Sequence, residues 1–450
     1  MTLRRWLPRL VPLLSVATFA ACENQVPTMV DDRLLPVGPV TIEVRLPWSQ
    51  FASNARVLGG YGSANEVGLG FLANAYQGTL NARTLLHVSG FPTEASVRDS
   101  TGTTRTDTQL TFVGGYLMVR FDADASTNPG PVSVSVARTL TKWDARTATW
   151  QNAIDSVETK AAWGEPGGGA VAPLGATEWN KTAADSVLIA LDSAGVASLA
   201  DTASDRGIRL SLDTPGHRLQ IKLITLQLSA RPSVRRDTLL TLPVNPLDVT
   251  FIYTPAPTPL TDGLRVGGIP AFRSVLTLAL PATVAGTAEA CARVSCPLQL
   301  TADRITHAGL VLTTRPTEAA FRPTDSLAIE ARSVLAPEVL PKSPLGDPLF
   351  IANIGRTIGA SLPVAGFQPG SPRAVELAIT PLIQDVLRGK TTNGARVSST
   401  LALLSLHCPA QVTSCQESRS ITYASFAGPG QTGEPYLRLL LTVSGRLELP

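Results

Sequence analysis

Four of the six tryptophans lie in one stretch of the first half, at Trp143, Trp150, Trp163 and Trp179. An exposed indole ring can stack on the apolar C–H face of a sugar ring. Trp163 and Trp179 stand in loop-like, glycine-containing surroundings, so we expect these two to be exposed. The alternative is that the rings fill a core or a turn, because tryptophan is highly buried on average. The stretch predicts either a polysaccharide-binding platform or a packed turn.

A short acidic segment after a predicted strand brings oxygen ligands close together. Asp122, Asp124 and Asn128 offer two carboxylates and an amide oxygen, which suit Ca²⁺. The EF-hand pattern is not met, because the required glycine is missing. A solvated acidic turn explains the same residues. We therefore predict that the protein has no cofactor. If calcium binds, this loop is the candidate site.

Catalytic motifs are absent from the sequence. The four histidines are isolated from one another, and no nucleophile elbow, zinc-protease helix or phosphate-binding loop is present. We therefore predict that the protein is not an enzyme. A polysaccharide hydrolase stays open as an alternative, because its two carboxylates need not be close in sequence.

The N-terminus predicts export and lipidation. Three arginines precede an apolar stretch from Leu10 to Ala21, which has the length of a signal-peptide core. Small residues then lead to Cys22, as in the lipobox of bacterial lipoproteins, so residues 1–21 form the signal peptide and Cys22 carries the lipid. Ordinary cleavage beside an incidental cysteine is the alternative. Because Glu23 is not aspartate, we expect the outer membrane of the cell envelope, on its periplasmic or surface face.

The other four cysteines form two close pairs, Cys291 with Cys296 and Cys408 with Cys415. In an exported chain this pattern predicts disulfides, although four cysteines allow three connectivities. Zinc is the rival explanation, but the Cys408–Cys415 spacing is wider than that of typical zinc ligand pairs, Cys291–Cys296 is at the upper limit, and the compartment is oxidising. The net charge is only +3 and no basic cluster is present, which argues against a nucleic-acid partner.

Short alternating segments dominate the rest of the chain. Val132–Val136 and Leu219–Leu223 alternate with a period of two, and Thr, Ser, Gly and Pro separate the segments. The pattern predicts an all-β protein built from two tandem antiparallel β-sandwiches of jelly-roll type. Its predicted boundaries are a lipidated tether at 22–38, a first sandwich at 39–240, a Pro-rich linker at 241–262 and a second sandwich at 263–450.

The two halves repeat an order of elements with nearly equal spacing. Arg83–Leu86 and Arg273–Leu276 each open a strand, and each half later has a strand, a short helix, a Gly-containing turn and a strand. Pro381 suits the first turn of the second helix, and Gly389 suits its C-terminal cap. The matching order predicts two copies of one domain.

Three elements of the first half carry a resemblance to a known family. They are Arg83–Leu86, the segment from Trp143 to Asn152 with the following Trp163–Gly168 turn, and the strand–turn–strand of Val187–Leu212. These elements resemble the DNRLRE-type β-sandwich domain, which is related to a carbohydrate-binding module. The second half keeps the opening strand and the helix but has no tryptophan.

The resemblance implies a binding or structural role rather than catalysis. We expect a cell-envelope lipoprotein that is held on the membrane by its lipid and has a polysaccharide as ligand. The alternative is a purely structural protein that assembles with envelope proteins. Exposed tryptophans favour the first role, whereas buried tryptophans with an apolar patch favour the second.

Overall fold

The computed structural model is all-β, as predicted. It describes residues 38–127, 130–200, 207–269, 271–349, 360–391, 394, 397–407, 416–417 and 420–444. In chain order, the strands up to the end of the first sandwich are β1 Pro39–Pro47, β2 Ala52–Leu58, β3 Gly70–Tyr76, β4 Leu80–Val88, β5 Ala95–Arg98, β6 Thr104–Asp107, β7 Leu110–Asp122, β8 Val132–Thr139, β9 Asn152–Asp155, β10 Lys160–Ala162, β11 Val171–Trp179, β12 Ser186–Leu191, β13 Gly207–Leu212, β14 His217–Pro232, β15 Leu240–Val244 and β16 Pro246–Thr254.

The remaining elements belong to the second sandwich or connect strands. The strands are β17 Gly263–Gly267, β18 Arg273–Leu278, β19 Thr283–Val284, β20 Leu298–Gln299, β21 Ile305–Arg315, β22 Leu327–Val334, β23 Leu345–Pro348, β24 Ala360–Leu362, β25 Ala374–Ala378, β26 Thr400–His407, β27 Gln416–Glu417, β28 Tyr423–Ala427 and β29 Tyr436–Ser444. The α-helices are α1 Trp48–Phe51, α2 Ser193–Ala200, α3 Ala288–Arg293 and α4 Thr380–Arg388. Short 3₁₀ helices lie at Ala64–Val67, Ala302–Arg304, Ala319–Phe321, Pro337–Val339 and Val364–Phe367.

The first sandwich consists of one continuous hydrogen-bonded sheet that forms both of its layers. One layer has the order β16-β4-β13-β8-β11, the other has β15-β14-β7-β12, and β3 pairs with both β4 and β14. The predicted alternation appears in β8, where Val132, Val134 and Val136 point into the core between the layers. Burial of these apolar side chains holds the layers together.

The second sandwich has the same arrangement in two separate sheets. Strands β2, β18, β26 and β22 follow the order of β16, β4, β13 and β8, whereas β1, β29, β21 and β25 follow that of β15, β14, β7 and β12. The register also agrees, since Thr84 pairs with Leu210 in the first sandwich and Ser274 pairs with Leu403 in the second. The predicted repeat of strand, helix and strand is β12-α2-β13 in one copy and β25-α4-β26 in the other. Pro381 lies in the first turn of α4, and Gly389 caps it with φ +71°.

The predicted domain boundaries are wrong in two places. Residues 39–58 were assigned to the first sandwich, but β1 pairs with β29 and β2 pairs with β18, so both strands complete the second sandwich. The predicted linker at 241–262 contains β15 and β16, which complete the first sandwich. Of the described residues, only 255–262 connect the two bodies in that region. Pro246 is tolerated in β16 because the strand pairs only with β4 and so lies at an edge.

Cys291 and Cys296 form the predicted disulfide, which encloses the end of α3, with an S–S distance of 2.04 Å. Cys22, Cys408 and Cys415 lie outside the described residues. No described helix is long and apolar enough to cross a membrane.

The N-terminal strands should be essential for the second sandwich alone. Six side chains between Val40 and Phe51 are buried in its core, and each buried large apolar side chain contributes about 1.5–3 kcal/mol. A soluble chain that begins at residue 59 should therefore keep amide protection in β4 and β14 but lose it in β21 and β29, as measured by hydrogen exchange. A chain that begins at residue 38 is the matched control, and equal protection of β21 and β29 in the two chains would contradict the assignment.

Candidate functional site

The tryptophan-rich segment folds as a lid over the outer face of the first sandwich. Residues 140–170 connect β8 to β11 and carry the small β9–β10 hairpin. Trp143 and Trp163 pack there with Leu85 and Ile252, which point outward from β4 and β16. The lid thus has a small core of its own, separate from the core between the layers.

The predicted exposure of Trp163 and Trp179 is wrong. Trp163 is 5% exposed, and its indole N–H donates to the carbonyl of Thr149 at 2.9 Å. Trp179 is 1% exposed, packs on Phe121 in the main core and donates to a backbone carbonyl. The glycines that suggested an open loop instead turn the chain back onto the sheet.

The other two tryptophans are also held by internal contacts. Trp143 is 3% exposed and stacks on His87, with ring centroids 3.9 Å apart. His87 in turn contacts Asp248 at 2.9 Å. Trp150 is half-buried, and the guanidinium of Arg83 lies 5.1 Å above its ring. Three of the four side chains therefore pack the lid and Trp179 packs the main core, in agreement with the alternative that the sequence left open.

Two arginines clamp the glycine turn of the lid. Arg83 donates to the carbonyl of Gly167, and Arg209 donates to the carbonyl of Gly169 at 3.0 Å. Gly167 has φ +89°, and a Cβ there would lie 2.7 Å from the Arg83 guanidinium. Burial, together with the neighbouring charge of Arg83, lowers the pKa of Arg209 to about 10. The opening arginine and the glycine turn, which the sequence showed as separate motifs, are thus one structural unit.

The calcium candidate is a turn engaged by a lysine. Asp122 accepts hydrogen bonds from the amides of Asp124 and Ala125, and the ammonium of Lys222 lies 3.1 Å from its carboxylate. Burial opposes ionisation of Asp122, but Lys222 and the amides outweigh it, so its pKa is lowered. Asn128 lies outside the described residues. Among the described residues, no three His, Cys, Asp or Glu side chains are grouped as metal ligands.

An ionic group around the buried guanidinium of Arg265 lies in the second sandwich, next to the junction. Arg265 has a side chain that is 2% exposed, donates to Glu318 at 2.9 Å and lies 4.2 Å above the ring of Tyr423. The Tyr423 hydroxyl donates to the same carboxylate at 2.7 Å. Phe321 stacks on Tyr423 from one side and contacts Tyr253 of the first sandwich from the other.

Further contacts cross the junction from the first sandwich. Tyr253 donates its hydroxyl to the carbonyl of Ile269, and buried Arg218 donates to the carbonyl of Ala320 at 3.4 Å. The apolar part of the junction includes Phe71 and Phe251 from the first sandwich. The two sandwiches therefore share a packed core rather than a flexible hinge.

A cleft of about 500 Å³ opens beside this junction. The crossing loop at 59–69 forms one wall, because β2 belongs to the second sandwich and β3 to the first. The first sandwich contributes Glu66, Val67, Leu69, Phe71, Asp122, Ala125 and Gln220, and the second contributes Pro323, Thr324, Asp325, Ser326, Leu327, Leu406, Glu417, Ser420 and Thr422. Sequence reasoning found only Asp122 of these residues, because the others come from loops and strands that are distant in the chain.

Arg273 occupies the position in the second sandwich that Arg83 occupies in the first, and it contacts residues in the wall of this cleft. Its guanidinium binds Glu417 through two hydrogen bonds, of 2.9 and 2.6 Å. It also lies 3.8 Å above the ring of Tyr61 in the crossing loop. The same position in the two copies thus supports a tryptophan lid in one and the cleft in the other.

No protein-family model matches the chain, and no curated protein matches it at a significant level.

Loss of the clamp should loosen the lid without unfolding the sandwich. Arg83→Met removes a charged donor from the Gly167 carbonyl, which should lower the free energy of unfolding by about 1–3 kcal/mol. Acrylamide should then quench Trp150 more readily. Arg146→Met changes an exposed arginine of the same lid and is the control. Equal quenching and equal stability in the two variants would show that the clamp does not hold the lid.

The junction should weaken in acid. Burial opposes ionisation of Glu318, but Tyr423 and Arg265 outweigh it and lower its pKa below the ordinary 4.5. Because the folded pKa is lowered, this stabilisation is present above pH 4.5 and is lost as the pH falls through the folded pKa. Glu318→Gln should lower the melting temperature at pH 7 and flatten its change below pH 5, whereas exposed Glu338→Gln should leave both unchanged. A Glu318→Gln profile identical to that of the parent would refute this role.

Proposed function

We propose that this chain is a non-catalytic binding and scaffold lipoprotein of the bacterial cell envelope, with a polysaccharide as its ligand. The observation that carries the proposal is the polar cleft at the junction of the two sandwiches. Its volume lies in the range of ligand sites, which often form where two domains meet. Carboxylates, hydroxyls and the Gln220 amide line it, and such groups hydrogen-bond to sugar hydroxyls.

The cleft replaces the tryptophan platform as the candidate binding surface. Trp143, Trp150, Trp163 and Trp179 all have internal partners, and three of them are buried. Membership of the DNRLRE-type family remains part of the proposal, and it is supported by the sequence resemblance alone. Binding would then depend on both sandwiches, since each contributes one side of the cleft.

The proposed anchor enters the structure at the second sandwich. Lipid on Cys22 would anchor the protein in the outer membrane, and the chain between Cys22 and Pro39 would form the tether. β1 begins at Pro39 and pairs along its whole length with β29. The tether would therefore attach to a strand that is continuous with the sandwich core, and the junction would carry the first sandwich.

A hydrolase would need one carboxyl group that stays protonated near neutral pH. Asp122 does not meet this need, because Lys222 and two amides lower its pKa. Glu417 is bound to Arg273 through both carboxylate oxygens. These contacts support a role in holding the cleft wall, and we propose no catalytic step.

A protein-assembly role is the second candidate, and one surface favours it. On the outer face of β12, β7 and β14, Leu188 and Leu223 are 58% and 46% exposed. Leu188 pairs with Met118, and Ala190 pairs with Tyr116, which extends the apolar area around Leu188. An apolar sheet face of this kind is a common site for contact with another protein.

The proposed function predicts retention on glycans without turnover. Soluble protein that starts at Glu23 should bind members of an oligosaccharide array and insoluble polysaccharides, because the cleft is fully contained in it. Release of new reducing ends, measured over hours on every retained glycan, should stay at the level of buffer alone.

Each component of the proposal has its own contradicting result. Binding to no glycan would leave the protein-assembly role as the leading candidate. Turnover of a retained glycan would establish the hydrolase. Variants of Trp163 or Trp179 are unsuitable probes, because loss of a buried tryptophan costs about 3–5 kcal/mol of stability.

A further inference from the structure

The lining of the cleft combines apolar side chains with hydroxyl groups. Val67, Leu69, Phe71, Leu327 and Leu406 line it together with the hydroxyl groups of Thr324, Ser326, Ser420 and Thr422. Apolar side chains suit the C–H faces of a sugar ring, and hydroxyls both donate to and accept from its hydroxyl groups. The lining therefore suits a ligand that is polar around its edge but apolar on its faces.

The charged groups of the lining all have the same sign. Glu66, Asp122, Asp325 and Glu417 are acidic, and no lysine or arginine lines the cleft among the described residues. Two of these carboxylates already hold a cation, Asp122 with Lys222 at 3.1 Å and Glu417 with Arg273 at 2.6 Å, so neither cation is available to an anionic ligand. An anion in the cleft would lose its hydration without gaining a cationic partner.

We propose that the cleft selects uncharged, hydroxyl-rich sugar units and rejects glycans that carry carboxylate, sulfate or phosphate groups. This inference rests on the proposed function and names the ligand class. The selectivity comes from repulsion as well as attraction, since like charges at close range penalise the wrong ligand. Carboxylates still accept hydrogen bonds from neutral sugar hydroxyls, so the same groups serve the favoured ligand.

Asp325 is the best single residue for testing this selectivity. It lies exposed at the cleft between Thr324 and Ser326, and its own contact is a short hydrogen bond from the Ser326 amide. It takes part in neither the junction core nor the Glu417–Arg273 pair. Its charge can therefore be removed without disturbing the walls.

The experiment uses an array that presents each neutral oligosaccharide beside its C6-oxidised uronate and its sulfated form. Soluble protein starting at Glu23 should bind the neutral members at least about tenfold more tightly than their anionic forms, which corresponds to about 1.4 kcal/mol. Asp325→Asn should narrow this ratio, mainly by improved binding of the uronates. Ser326→Trp should fill the cleft and abolish binding of both.

Asp237→Asn, which removes an exposed carboxylate away from the cleft, is the matched control and should leave the ratio unchanged. Melting curves show whether each variant is folded. Equal or tighter binding of the anionic forms by the parent protein would overturn the inference while leaving the proposed function intact. Undiminished binding by folded Ser326→Trp would overturn the cleft as the site. Binding to no glycan at all would refute the proposed function, and the inference with it.

Discussion

A guanidinium that is almost completely buried must be neutralised by a carboxylate and packed against other side chains. Both conditions are met for Arg265, next to the junction. Glu318 neutralises its charge, and the Tyr423 ring lies beneath it. Removal of Glu318 would leave this buried guanidinium without its carboxylate, which disfavours any rearrangement that separates the two. Phe321 extends the same cluster to Tyr253, and the relative placement of the two sandwiches follows from these contacts.

The cleft depends on this fixed placement and on the path of the chain. β1 and β2 complete the second sandwich, whereas β15 and β16 complete the first in the equivalent positions. The chain must therefore cross the junction between β2 and β3, and the crossing loop becomes a wall of the cleft. Duplication alone would give two similar sandwiches. Because β1 and β2 pair in the second sandwich, the loop after β2 crosses the junction and the two sandwiches share one cleft. The two opening arginines then diverge, since Arg83 holds the tryptophan lid and Arg273 holds Glu417 and Tyr61.

Local patterns in the sequence were sufficient to predict strands but not their partners. Alternation in Val132–Val136 and the repeated opening strands predicted β8, β4 and β18, and the structure confirms them. The partners of β1 and of β15 depend on long-range packing, which leaves no mark on the strand itself, so the domain boundaries were misplaced. The expected exposure of Trp163 failed because a glycine turn folds its surroundings inward, and that of Trp179 failed because this residue ends β11 and packs in the main core. The cleft was beyond sequence reasoning, since it joins side chains from loops and strands that are distant in the chain.

The most direct test of the account is a crystal structure of the soluble protein with a neutral oligosaccharide. The account predicts that Phe321, stacked on Tyr423 beside the Arg265–Glu318 pair, contacts Tyr253 of the first sandwich, and that the sugar lies between Asp325 and Gln220 in the cleft. Sugar density on the tryptophan lid or on the apolar face around Leu188, with the cleft occupied only by solvent, would contradict it.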